Sequence, residues 1–227
     1  MKRALSVAAV ACGVMGVWAA SALGTTNFIS ASNSDDYDAP DPDIIEGQTI
    51  PFNNNDAVSH TVTADETGPD GKPLFRTGTT PGMTTRDVSG TVFLSDGLYD
   101  FHCSIHPNMQ ATLTVFEVGG EPVSRPEISL KVKSKKLERV VKSEKLKVKV
   151  EATEPTFAEN VSLIAKKGQK RISKRLDFNL AAGASRTAKL KLKARAAEKL
   201  AKLDKAKVKV QGTVDFGFGD KASKKLK

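Results

Sequence analysis

The 227-residue sequence predicts an all-β chain built as two successive sandwiches, and two observations carry that expectation. Apolar residues recur mostly at every second position, in short runs bounded by Gly, Pro, Asn and Asp, which is the pattern of half-buried strands. Charge divides the chain: residues 1–120 hold 5 Lys/Arg against 14 Asp/Glu, a balance of −9, while residues 121–227 hold 30 against 12, a balance of +18. Such asymmetry marks two domains. The boundary is expected in the Gly/Pro/Ser stretch 119–126, a linker long enough for some relative motion.

Taken in order, Met1-Lys2-Arg3, the apolar run Ala4 to Ala20 and the A-x-A signal Ala20-Ser21-Ala22 read as a secretory signal peptide over 1–24. An uncleaved anchor is the alternative, because the run approaches the length of a spanning helix. The expected location is extracytoplasmic: secreted, periplasmic or cell-surface associated. From Thr25 to about Pro42 the chain is acidic and rich in Ser, Asn, Asp and Pro, so it is expected as loop, apart from a short strand near Asn27 to Ile29. Strands are then expected at Ile50 to Phe52, His60 to Ala64, Gly90 to Leu94, Leu98 to Cys103 and Gln110 to Val118, with turns at Asp70-Gly71-Lys72-Pro73 and Pro81-Gly82. They make a small antiparallel sandwich over 25–118.

In 127–227, Ile128/Leu130/Val132, Leu146/Val148/Val150, Ala188/Leu190/Leu192 and Val208/Val210 alternate with lysines. Val161 to Ala165 and Leu176 to Leu180 add strands, and Leu192, Ala196, Leu200 and Leu203 fit one stripe of a short helix over Ala194 to Leu203. About seven strands in roughly 100 residues argue an immunoglobulin-like sandwich. The segment resembles Lys-rich β-sandwich modules appended to secreted bacterial proteins. Its lysine rows admit three readings: solvated faces, attachment to an anionic cell-wall or membrane surface, or docking onto the acidic first domain. Nucleic acid is not expected, since the lysine-bearing strands lack interleaved aromatics.

The chemistry concentrates in Cys103-Ser104-Ile105-His106-Pro107-Asn108-Met109, with His60 43 residues upstream. A thiolate, two imidazoles and a thioether are the ligand set of a mononuclear blue-copper centre, trigonal His₂Cys with a weak axial Met. Soft sulfur suits Cu(I), imidazole suits both oxidation states, and an intermediate geometry serves each with little rearrangement. Cys12 lies in the leader, so the mature chain holds one thiol, which a metal would occupy. Period-2 alternation sends Tyr99, Phe101 and Cys103 inward and Leu98, Asp100 and His102 outward, so His102 is excluded from the ligand set.

The run Gly97 to Val115, with Ile44-Ile45-Glu46-Gly47-Gln48-Thr49 and the Asn-rich lead into His60, resembles the cupredoxin family, most of all its amicyanin- and plastocyanin-like members. The resemblance covers about residues 27 to 118. It implies a Greek-key β-sandwich and one copper ion held by His60, Cys103, His106 and Met109. Ser104 and the Thr61 backbone would brace the thiolate, and His106 would be the ligand nearest the surface. Ser59, Thr61 and Gln110 depart from the family's frequent Pro, Asn and small or basic residues. The function implied is a one-electron carrier. A surface-tethered copper carrier or buffer is the alternative, although after leader removal only Met83 and Met109 remain to display exchangeable thioethers. An oxidase-like enzyme needs more copper sites than three histidines can build. The chain is expected to be a monomer with redox protein partners that its sequence does not name.

Overall fold

The computed structural model describes residues 28–38, 41–117, 119–153 and 156–227. The expected signal peptide, Asn27 of the first expected strand and Val118 lie outside the described residues. The chain is all-β, and its apolar side chains gather in two clusters that share no residue.

Seven strands build the first sandwich: β1 Ile29–Ala31, β2 Asp43–Ile45, β3 Ile50–Asn54, β4 Thr63–Ala64, β5 Thr84–Val88, β6 Gly97–His102 and β7 Gln110–Phe116. They form two sheets, ordered β1-β3-β5 and β2-β7-β6-β4. The sandwich is mixed rather than purely antiparallel, because β1 runs parallel to β3 and β2 parallel to β7. Phe52, Phe75, Phe101 and Leu113 fill the space between the sheets. Burying a large side chain of this kind stabilises by about 1.5–3 kcal/mol. The expected strand Gly90 to Leu94 is instead a 3-10 turn over Thr91–Phe93, because Gly90 sits at φ 105, a left-handed position that stops an extended chain. The strand of that region is β5, whose first four residues are exposed. It is a polar sheet edge and carries no alternating signal.

The second sandwich contains β8 Ile128–Val132, α1 Leu137–Ser143, β9 Lys145–Ala152, β10 Ala158–Lys167, β11 Lys170–Arg171, β12 Leu176–Leu180, β13 Ser185–Lys191, α2 Ala194–Ala201, β14 Ala206–Thr213 and β15 Asp220–Leu226. One sheet is ordered β13-β9-β8; the other runs β11-β10-β14-β15, with β12 also on β10. The alternation reads through: in β9, Leu146, Val148, Val150 and Ala152 are buried while the lysines between them point away. Helix α1 and strand β15 carry little periodic apolar signal. Only Leu137 and Val140 of α1 are buried, and of β15 only Leu226. Among the described residues no helix is long and apolar enough to cross a membrane.

The turn between β14 and β15 docks on the first sandwich. Phe216, at φ 57, stacks under the Arg76 guanidinium at 4.1 Å and lies 6.1 Å from Phe93. Its N–H donates to Asp70 Oδ2 at 3.1 Å, and Asp215 pairs with Lys72 and, at 3.5 Å, with Arg76. The segment 119–126, expected to permit motion, is tied down. Val123 N–H donates to Val92 O at 2.8 Å, and Arg125 donates to Phe216 O at 3.0 Å and Phe93 O at 3.2 Å. The junction also inverts the expected charge logic. Its cross-seam ion pairs join Lys72 and Arg76 of the acidic half to Asp215 of the basic half, while Asp70 of the acidic half and Arg125 of the basic half bind backbone groups of the other side.

Candidate metal centre

Strand β6 leads away from the junction, and Cys103 follows its last residue, one strand length or about 20 Å on. The loop beyond is closed by two backbone bonds: Met109 N–H to His106 O at 3.0 Å and Cys103 N–H to Met109 O at 3.0 Å. His60 arrives on the neighbouring segment, three residues before β4, which pairs antiparallel with β6. It pairs with Thr80 in an isolated bridge, N–H to O at 3.0 and 2.8 Å, instead of opening a strand. Buried Asn54, at the end of β3, fixes this arrangement by donating to Val58 O at 2.8 Å and Thr80 O at 2.9 Å.

The result is a triangle of donor atoms. Cys103 Sγ is 3.8 Å from His60 Nδ1 and 3.7 Å from His106 Nδ1, and the two nitrogens are 3.1 Å apart. Among the described residues this is the one group of three or more His, Cys, Asp or Glu side chains placed to hold a metal ion. The three donor atoms stand close enough for one ion to reach them all, so the residues present fit a His₂Cys ligand set. Cys103, His60 and Met109 are fully buried, whereas His106 is partly exposed.

Each corner is held from behind. His60 Nε2 lies 2.9 Å from Asp56 Oδ2, so a proton on Nε2 leaves Nδ1 free for a metal. That bond, with the Ala57 N–H and the Ser34 hydroxyl, holds the Asp56 carboxyl below its ordinary range. Thr61 N–H donates to Cys103 Sγ at 3.4 Å. Burial pushes the Cys103 thiol up, but the N–H groups of Thr61, His106 and Ile105 and the His60 ring outweigh it, leaving a pKa of about 6. The site thus favours the thiolate that binds metal.

Ser104 acts at one remove: its N–H donates to Thr61 Oγ1 at 2.8 Å and its hydroxyl lies 2.9 Å from the same atom, joining the segments that carry His60 and Cys103. His102 faces the other way, as alternation requires, with Nδ1 2.5 Å from Asp65 Oδ1.

Tyr37 and Asp56 stand behind the candidate site, and sequence reasoning missed both. Tyr37 comes from the acidic stretch read as loop, yet it is buried, its ring 4.9 Å from that of Phe101. Its hydroxyl donates to Thr61 O at 2.5 Å, on the peptide segment whose N–H reaches the thiol. Burial, with the nearby Cys103 charge, pushes its ionisation well above the ordinary tyrosine value. The one available signal was a lone aromatic in a polar segment.

No protein-family model matches the chain, and no curated protein matches it. Solved structures do. A purple cupredoxin from Nitrosopumilus maritimus is 24% identical, covering 39% of this chain and 98% of that one at a TM-score of 0.33. A reduced amicyanin mutant is 23% identical, covering 43% of this chain and 88% of that one at 0.33, and a second reduced amicyanin mutant gives 23%, 43%, 88% and 0.34. These are partial likenesses to cupredoxins. The chemical reading rests on the triangle itself.

Proposed function

We propose that the protein is an exported one-electron carrier with a single copper ion held by His60, Cys103, His106 and Met109. The observation that carries this reading is the convergence of His60 Nδ1, Cys103 Sγ and His106 Nδ1 at 3.1–3.8 Å beneath a loop that also brings in buried Met109. Copper bound there would supply a one-electron Cu(I)/Cu(II) couple.

The chain's own residues do the rest. Asp56 fixes the His60 ring, Thr61 holds the Cys103 sulfur, and the buried setting excludes water from both. His106, the partly exposed member, offers the way in and out for the electron. Around that end, Ile105 and Val58 are 45% and 46% exposed and Met83 73%, a small apolar surface suited to brief encounters with a redox protein. Such a carrier is not an enzyme, and the extracytoplasmic placement proposed for it rests on the expected signal peptide over 1–24, outside the described residues.

The test is a copper titration of the purified protein. One equivalent of Cu(II) should give an intense thiolate charge-transfer band, and Cys103→Ser should abolish it. A colourless Cu(II) complex, or a redox-silent zinc site as the natural occupant, would refute the reading.

A further inference from the structure

The lysines of the second sandwich are placed against one another. On the outer face of sheet β13-β9-β8, Lys189 lies directly opposite Lys147, Lys191 opposite Lys145, and Lys131 opposite Lys149. Directly opposed like charges destabilise a sheet, and strand spacing sets these columns only about 5 Å apart. A face that needed only to be soluble would be served by mixed charge. Glu151 is the one carboxylate these three strands carry, and it pairs with Lys149.

This face continues into a cleft of about 690 Å³ between the β8–β9 end of the sheet and α1. Lys133, Lys145 and Lys147 line one wall, Lys135, Lys136, Lys142 and Arg139 the other, and no carboxylate lines it. None of these seven cations forms an ion pair with any described residue. The cleft lies at the far end of the module. Glu127, just before β8, pairs with Phe218 beside the junction, and β8 then runs away from the first sandwich toward Lys133.

We propose that this cleft is a docking site for a linear polyanion, a phosphate-bearing polymer chain threaded between α1 and the lysine face. Cations on two walls of a concave groove surround a strand of charge, whereas a flat headgroup plane would meet only the rim. No exposed large hydrophobic side chain among the described residues belongs to β8, β9, β13 or α1, so the face offers neither an anchor for lipid nor a platform for bases. Affinity should come from counterion release. With seven phosphate contacts at about −0.7 each, the slope of log K against log salt is about −5, a loss of roughly 10³-fold between 50 and 200 mM salt.

The test uses the full chain with linear inorganic polyphosphate as the probe, and reads no copper signal, so its outcome is independent of the metal assignment. The expected result is binding at 50 mM salt with the slope above, and no competition from orthophosphate at equal phosphate. Lys133→Gln/Lys135→Gln/Lys147→Gln should cut the slope to about −3 and the salt loss to about 50-fold. Lys166→Gln/Lys209→Gln/Lys225→Gln, on the other sheet, should leave both unchanged. The inference fails if neither triple differs from the parent, if both lose equally, or if polyphosphate does not bind at 50 mM salt. It fails equally if anionic phosphatidylglycerol vesicles or a single-stranded oligonucleotide bind more tightly at equal phosphate.

Discussion

Replacing Tyr37 with Phe removes one oxygen and tests whether the acidic N-terminal segment supports the metal site. The ring contacts to Phe101 and Phe52, at 4.9 and 6.1 Å, survive the change. What disappears is the donor to Thr61 O at 2.5 Å, which strands a buried carbonyl. A buried acceptor left unpaired costs about 1–3 kcal/mol, roughly a 5- to 140-fold change in the folding equilibrium. With a urea dependence near 2 kcal/mol/M, the midpoint should fall by about 0.5–1.5 M. The thiolate charge-transfer band is the right probe, because it reports the first sandwich alone. Tyr99→Phe is the control: its hydroxyl donates to Ser95 O at 3.0 Å in an exposed setting, so its effect should stay within about 0.5 kcal/mol. Equal midpoints for Tyr37→Phe and the parent would refute the argument that the Tyr37–Thr61 bond supports the site.

Three further outcomes follow from the geometry. Asp56→Asn removes a negative charge 2.9 Å from His60 Nε2, so the ring becomes a poorer donor and the reduction potential should rise; voltammetry showing a fall would count against the bond. Met109→Gln, which replaces a weak thioether with a stronger oxygen donor, should lower the potential while keeping the metal, and an unchanged value would remove Met109 from the ligand set. Phe216→Ala removes a cation–π contact with Arg76 and a ring contact with Phe93, about 1–3.5 kcal/mol of coupling between the halves. Proteolysis within 119–126 should accelerate and the solution radius of gyration grow with the copper spectrum unaltered, whereas a changed spectrum would contradict the separation of junction and site.

Much of this was readable because it is local. Cys103, His106 and Met109 fall within seven residues, and the alternation through β6 and β9 places each side chain on its face without reference to the rest of the chain. Three things were not readable, each for its own reason. Strands β5 and β15 are edges with one solvated face and polar sequences, so they carry no period. Tyr37 sits among acidic and small residues whose composition signals loop, and its burial depends on Phe52 and Phe101 arriving from other strands. The opposed lysines require strand register, which fixes that Lys147 faces Lys189, and no single strand contains it.

The junction between the sandwiches has a consequence for how the molecule turns in a field. Residues 25–120 hold 3 Lys/Arg against 14 Asp/Glu, a balance of −11, and residues 121–227 a balance of +18; with only a few ion pairs at the seam, the protein carries a permanent electric dipole from one half to the other. Arg125 and Phe216 fix that moment relative to the strands. Near a negatively charged boundary such a body experiences a torque as well as a pull, and it rotates before it arrives. The positive pole leads, and the pole carrying Ile105 and His106 trails into solution. Orientation would then be set by long-range electrostatics within a Debye length of about 8 Å at physiological salt, before any short-range contact has formed.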